Sequence, residues 1–99
     1  MAVEFDPKKD AANRRKHGIS LSEGDGVTDD PFVLTLEDEL AQGEQRFIAL
    51  GRNVFGQLRL VVYTYRGEDV RLISVRRPDA KQAKAYEQNL ISPRPSGVR

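Results

Sequence analysis

The chain has one histidine, His17, and it closes the basic run Arg14-Arg15-Lys16-His17 ahead of Gly18. Imidazole is the side chain that titrates nearest neutrality, so His17 is a candidate general acid or base. Neighbouring cations lower its pKa and a helix C-terminus raises it. The structural alternative is a helix-end histidine that caps carbonyls. A second group is Arg52 with the pair Arg76-Arg77. Guanidinium forks grip phosphates and stabilise negative charge that develops on them. The alternative is that these arginines are solvated or pair with acidic residues. Tyr63, Tyr65 and Tyr86 offer ring faces on which bases can stack, although the helical spacing of Tyr86 with Ala83 and Leu90 suits a half-buried position. Glu44 and Glu68 could act as bases, and nothing singles either out. With one His and no Cys, a metal site would have to be all-carboxylate, and the acidic residues are too loosely spaced to argue one. There is no glycine-rich phosphate cradle, and no nucleophile is paired in sequence with a base.

The net charge of +1 conceals a strong asymmetry. From Gly18 to Gln45 there are eight acidic residues and no Lys or Arg; from Arg46 onward there are eleven basic and four acidic. Basic clusters attract nucleic-acid phosphates or acidic proteins, and a well-solvated mixed surface is the bland alternative. The 99 residues suit one small domain, expected over 1–90, with a disordered tail over 91–99 rich in Pro, Ser and Gly. No apolar run is long enough to span a bilayer and no signal-peptide pattern opens the chain, so a cytoplasmic location without membrane contact is expected.

The elements that must position the candidate groups start with the stretch from Leu58 to Arg77. Two runs rich in Val, Leu, Ile and Tyr flank Arg66-Gly67-Glu68-Asp69, which is a β-hairpin signal. A tight turn pairs Tyr65 with Val70, Tyr63 with Leu72, Val61 with Ser74 and Arg59 with Arg76. Strand alternation then puts Thr64, Val62, Leu60 and Leu58 on one face beside Arg71, Ile73, Val75 and Arg77. A further strand, Gln45 to Arg52, pairs Arg52 with Leu58, Leu50 with Leu60 and Ile48 with Val62. In that register Arg52 and Arg77 flank Leu58 on one face, about 10 Å apart at the usual strand spacing. A phosphate would fit between them.

Upstream, Val3 and Phe5 suit a short opening strand. Asp6-Pro7 is an N-cap followed by Pro at the first helical position, and Gly18 stops that helix after His17. Ala11 and Ala12 are its expected packing residues. Ile19 to Asp30 contains Gly24 and Gly26 and is expected to be a loop with one helical turn. Asp29-Asp30-Pro31 is turn chemistry, and Phe32 to Leu36 reads as a strand. Pro78-Asp79 opens a last amphipathic helix through Leu90, with Asp79 and Gln82 forming a capping box.

The ordered set of motifs resembles the BrnT family of toxins from bacterial type II toxin–antitoxin systems. It comprises Glu4-Phe5-Asp6-Pro7; Lys8, Ala12 and Asn13; Lys16-His17-Gly18-Ile19-Ser20; Asp30-Pro31; and Glu44 to Gly51. It continues with Val61-Val62-Tyr63-Thr64, Arg71 to Arg77, and Tyr86-Glu87. It covers about residues 3 to 88. The resemblance implies an α+β, RelE-like fold: a small antiparallel β-sheet, about four strands plus a short N-terminal strand, packed with two to three helices. It implies a growth-arresting endoribonuclease without metal or other cofactor, in which the ribose 2′-OH attacks the adjacent phosphate. It also implies a cognate BrnA-like antitoxin that neutralises the toxin and binds DNA through its own domain.

On that reading the candidate catalytic residues are Lys16, His17, Arg52, Arg76 and Arg77, and the candidate RNA contacts are Arg15, Tyr63 and Tyr86. Family members usually continue a helix where this chain reads Leu21-Ser22-Glu23-Gly24-Asp25-Gly26; two glycines here replace helix formers. Two alternatives stay open: a RelE-fold toxin that binds a protein target such as gyrase, and a non-catalytic RNA-binding module.

Overall fold

The hairpin read from the sequence is the centre of a five-stranded sheet in the computed structural model, which describes residues 3–39 and 41–92. In chain order the elements are β1 (Val3–Glu4), α1 (Pro7–His17), 3-10 turns at Leu21–Gly24 and Val27–Asp29, then β2 (Leu34–Glu37) and β3 (Phe47–Arg52). They are followed by β4 (Leu58–Arg66), β5 (Asp69–Arg76) and α2 (Ala80–Ile91). The sheet order is β1-β5-β4-β3-β2, with β1 parallel to β5 and the other pairs antiparallel. One face carries the main core, in which Val61, Tyr63, Val70, Leu72, Val75 and Ala49 meet Ile19, Leu21 and Val27 from the two 3-10 turns and their approach. The expected loop over 19–30 is thus two short turns pressed on the sheet. The expected tail falls on residues of which 93–99 lie outside the described ones, and α2 runs on through Ile91.

Both α-helices are bounded as their capping residues predict. The Asp6 side chain accepts the Lys8 N–H, Pro7 opens α1, and Gly18 closes it in the left-handed region at φ 76°. Asp79 and Gln82 form the reciprocal capping box on α2. The packing of α1, however, corrects the expectation. Ala11 and Ala12 are exposed and the buried residue of the helix is Asn13. Its side-chain amide donates to the carbonyls of Val75 (2.8 Å) and Ile19 (3.0 Å) and accepts the Val75 N–H (3.1 Å). A helix with almost no apolar face is therefore held by a buried amide whose polar atoms are all engaged. Asp10 adds a second tie. It accepts from the Leu21 N–H, Ser20 and Arg14, and these bonds, the Leu21 N–H foremost, hold its carboxyl below its ordinary value.

The β3–β4 register is the expected one. The β4–β5 register starts as expected, with Tyr65 opposite Val70 and Tyr63 opposite Leu72, and then shifts at a β-bulge between Val62 and Tyr63. Ile73 is the extra residue. Beyond it Val62 faces Ser74, Val61 faces Val75 and Leu60 faces Arg76. The expected pairs Val61–Ser74 and Arg59–Arg76 do not form. The reason is physical: an unbroken alternation would drive Ser74 and Arg76 into the core and turn Val75 outward. One inserted residue reverses that phase. Arg76, rather than Arg77, therefore shares a face with Leu60, Leu58 and Arg52.

The glycines at 24 and 26 are explained by close approach. A Cβ on Gly24 would lie 2.9 Å from Val75 Cγ2 and 3.2 Å from Leu72 Cδ1, and Gly26 sits at φ 90° against Val54. The first 3-10 turn packs directly on the sheet because residue 24 has no side chain. Replacing Asn13 tests the other support. Asn13→Ala leaves the Val75 N–H and two carbonyls unpaired, which should destabilise the fold by about 3 kcal/mol or more. A urea titration should show the lower midpoint, and Asn13→Asp, which sets a buried acceptor-only carboxylate against the Val75 and Ile19 carbonyls, should be at least as destabilising.

Candidate active site

The bulge on β5 and the C-terminal half of α1 enclose a cleft of about 230 Å3 lined by Lys9, Ala12, Asn13, Lys16, His17, Ile73 and Ser74. Lys9, Ala12, Asn13 and Lys16 are spaced i, i+3, i+4 and i+7, so they lie on one helix face. His17, at the rim, is partly buried. Its pKa is held below the ordinary imidazole value, first by desolvation and then by the positive charges of Lys16 and Arg76. At neutral pH its ring is therefore largely unprotonated and able to accept a proton. Arg76 stands on the β5 side, where its Nη1 donates to the Arg77 carbonyl (3.3 Å) and reaches Gln82 Oε1 at 3.5 Å.

Arg52 belongs to a second group on the far side of β4. Its guanidinium lies 5.6 Å from the ring centroid of Tyr86, a cation–π arrangement. Its N–H donates to Asp30 Oδ2 at 2.7 Å, and Tyr86 donates its hydroxyl to the same oxygen at 2.5 Å. Asp30 also accepts the Phe32 N–H. Burial first, and the Asp30 carboxylate second, push the Tyr86 phenol up to about 12. Arg52 and Arg76 lie on the same sheet face, separated by one strand (two inter-strand spacings) and one two-residue step, which places their Cα atoms about 12 Å apart. The arrangement is cationic at two points with a neutral base beside one of them. Among the described residues no group of three or more His, Asp or Glu side chains is placed to hold a metal ion.

Comparison with known proteins decides the family. Residues 5–82 match the family model for the ribonuclease toxin, BrnT, of type II toxin–antitoxin systems. The chain belongs to the BrnT family. No curated protein matches it by sequence. In structure it is similar to the Brucella abortus ribonuclease toxin BrnT, solved at 1.1 Å, with a TM-score of 0.62 and 20% identity over 80% of this chain and 97% of that chain. That likeness shows the α+β fold, and a RelE-like architecture is consistent with the family. Membership of a type II system implies an antitoxin partner.

Within this BrnT-family fold, the residues singled out in the sequence part into four sets. Lys16 and His17 line the cleft, with Arg76 close enough for its charge to act on His17 while its guanidinium reaches Gln82, and Arg52 joins Tyr86 and Asp30. Arg77 and Arg15 are exposed, Arg77 one residue past the end of β5 and Arg15 on α1. Arg77 does not flank Leu58, because the bulge gives that face to Arg76. Tyr63 is 4% exposed, its ring stacked on Phe47 at 5.6 Å, and burial raises its phenol far above the ordinary value. Tyr86 is 2% exposed. Neither ring has a face open to a base in this structure.

Three residues near these groups were not singled out for a role: Lys9, Asn13 and Asp30. Lys9 could have been found from its i, i+7 spacing with Lys16. Asn13 and Asp30 act through backbone atoms of distant strands, and no local pattern shows that. Tyr86→Phe removes the hydroxyl from Asp30 and keeps the ring under Arg52. It should lower stability by about 1–2 kcal/mol, read as a reduced urea midpoint with an unchanged m-value.

Proposed function

We propose that this chain is a metal-independent endoribonuclease toxin that arrests growth by cleaving RNA, and that a BrnA-like, DNA-binding antitoxin neutralises it. The observation that carries the reading is an unprotonated His17 beside Lys16 in one cleft, with Arg76 near enough for its charge to act on the imidazole. His17 would take the proton from a ribose 2′-OH. The resulting oxygen attacks the adjacent phosphorus, the bond from phosphorus to the 5′-oxygen breaks, and that oxygen takes a proton from Lys16 or from water. The products are a 2′,3′-cyclic phosphate and a 5′-hydroxyl. Arg76 faces the charge that builds on the phosphoryl oxygens, with Lys9 adding to the field, and Arg52 holds a neighbouring phosphate. Family membership and the chemistry of these side chains support the reading; cationic groups can supply the charge stabilisation that a metal would otherwise provide.

Labelled RNA incubated with the purified protein in EDTA tests it. Cleavage should persist, and Arg76→Ala should lower kcat/KM roughly a hundredfold to a thousandfold, the usual cost of one charge-stabilising donor. Activity near that of the wild type would remove Arg76 from this role. The pH profile tests His17. A base must be neutral to act, so the rate should rise with pH through a midpoint below about 6.5. It should then stay level across neutrality. His17→Asn should abolish that acid limb as well as most of the rate; a limb that survives the substitution assigns the base elsewhere.

A further inference from the structure

The chain has four Phe, three Tyr and no Trp. Phe5 and Phe47 pack on the core, and Tyr63 and Tyr86 are buried. Tyr65 is half-exposed, but its ring lies edge-on to Phe47 and Tyr63 at the opposite end of the sheet from Arg52 and Arg76. Phe32 is about two-thirds covered, beside the Asn89 side chain that bonds its carbonyl. Phe55 differs from all of these. It is 74% exposed, and it sits in the loop joining β3 to β4, three residues from Arg52.

That loop is rigidly built. Asn53, 6% exposed, accepts the N–H groups of Phe55 and Gln57 on one oxygen, both at 2.9 Å. Its amide nitrogen donates to the Glu23 carbonyl and to Gln57 Oε1. The Val54 N–H donates to the Asp25 carbonyl, and the Asn53 N–H to the Gln57 carbonyl. Every one of these bonds is made by backbone atoms or by Asn53 and Gln57, and none needs the phenyl ring. A large apolar ring is thus held out in water by a scaffold already ordered, at the cationic end of the sheet. Ordering costs at binding are correspondingly small.

We propose that Phe55 is a stacking platform for a base of single-stranded RNA whose backbone is held by Arg52 and the cleft cations. A flat ring beside phosphate-binding cations is the combination that single-stranded nucleic acids require. One ring with Val54 beside it is a small patch for protein docking, and the Arg52 guanidinium, which shares a pocket with Asp29 and Asp30, is the group there that can meet a polyanion. The inference rests on the proposed function in taking RNA as the ligand of this end, and it supplies a base contact that Tyr63 and Tyr86 do not offer.

The test uses the full chain and an RNA oligonucleotide made uncleavable by 2′-deoxy substitution. Phe55→Trp introduces the only indole, and its fluorescence should be quenched on titration with that RNA. Phe55→Ala should weaken binding about fivefold to a hundredfold, and Phe55→Leu, which keeps apolar bulk without a π face, should weaken it similarly. Phe55→Tyr should bind as the wild type does. Urea midpoints of all four variants should match the wild type, so lost binding cannot be lost folding. Wild-type affinity in Phe55→Ala, or in Phe55→Leu, overturns the platform even if the enzyme cuts RNA normally. Quenching and weakened binding in a chain that cuts no RNA would overturn the ribonuclease reading and leave the platform standing.

Discussion

A single buried amide sets the geometry on which the candidate site depends. Beyond Arg71, β5 has lost β1 as a neighbour, since β1 pairs only with Val70 and Arg71. Two residues past the bulge, Asn13 engages both the N–H and the C=O of Val75, doing for one residue what a strand would do for several. The bulge fixes which way Arg76 points, and the amide fixes where α1 lies against it. Because Lys16 and His17 follow Asn13 by three and four residues, helix geometry puts them on the same side as that contact. The distance from the basic helix end to the basic strand end is therefore set at the Asn13–Val75 contact, with Asp10 tying the same helix to the first 3-10 turn. An apolar contact would have allowed sliding; a bidentate bond to a named residue does not.

The opposite edge of the sheet solves the same problem with a carboxylate. β2 ends its pairing at Leu34 opposite Leu50, so Gly51 and Arg52 extend beyond it. Asp30 takes the Arg52 N–H there, accepts the Tyr86 hydroxyl from α2 and the Phe32 N–H from its own turn. Short edge strands leave the ends of the central strands with unpaired backbone groups, and such groups are costly when buried. Here the Val75 N–H and C=O and the Arg52 N–H are covered by side chains from a helix and a loop, and each covering residue also anchors an element that carries a candidate functional group. Closing the sheet edge and positioning the site are one operation.

The sequence made much of this legible, and the misses have definite causes. Asp6-Pro7 and Asp79 with Gln82 marked helix starts because caps are local chemistry. The turn around Gly67 gave the register near it, since hairpin pairing is fixed from the turn outward. It failed at Ile73 because a bulge keeps the residue types of a strand. A trace of it was nonetheless present: Val70 and Leu72 are two apart and the next core residue, Val75, is three further on. That step of three is a break in alternation. Helix α1 misled for a different reason. Its exposed alanines suggested packing through small apolar residues, whereas the contact is a polar one made across 62 residues of sequence separation. The tyrosines were ambiguous because whether a strand residue is open or covered depends on what lies on that face, and the two glycines that let the 3-10 turn cover it looked like loop residues.

Those glycines also explain how an acidic segment can coexist with a cationic cleft. Glu23 pairs with the largely buried Arg59 at 2.8 Å, and its carbonyl receives Asn53. A buried guanidinium is tolerable only if paired and hydrogen-bonded, so Arg59 needs a carboxylate brought close to the core face. Gly24 lets the turn approach near enough to deliver it. Asp30 is likewise occupied by donors from β3 and α2, and Asp10 by Leu21, Ser20 and Arg14. Much of the negative charge near the sheet is therefore committed to internal partners at short range. The Glu23–Arg59 and Asp10–Arg14 ion pairs cancel at the distances over which a phosphate is attracted, whereas Asp30, held by two backbone N–H groups and the Tyr86 hydroxyl, keeps its charge beside Arg52. The local field at the cleft is then set by Lys9, Lys16 and Arg76, and a near-zero net charge places little limit on what that end of the molecule can bind.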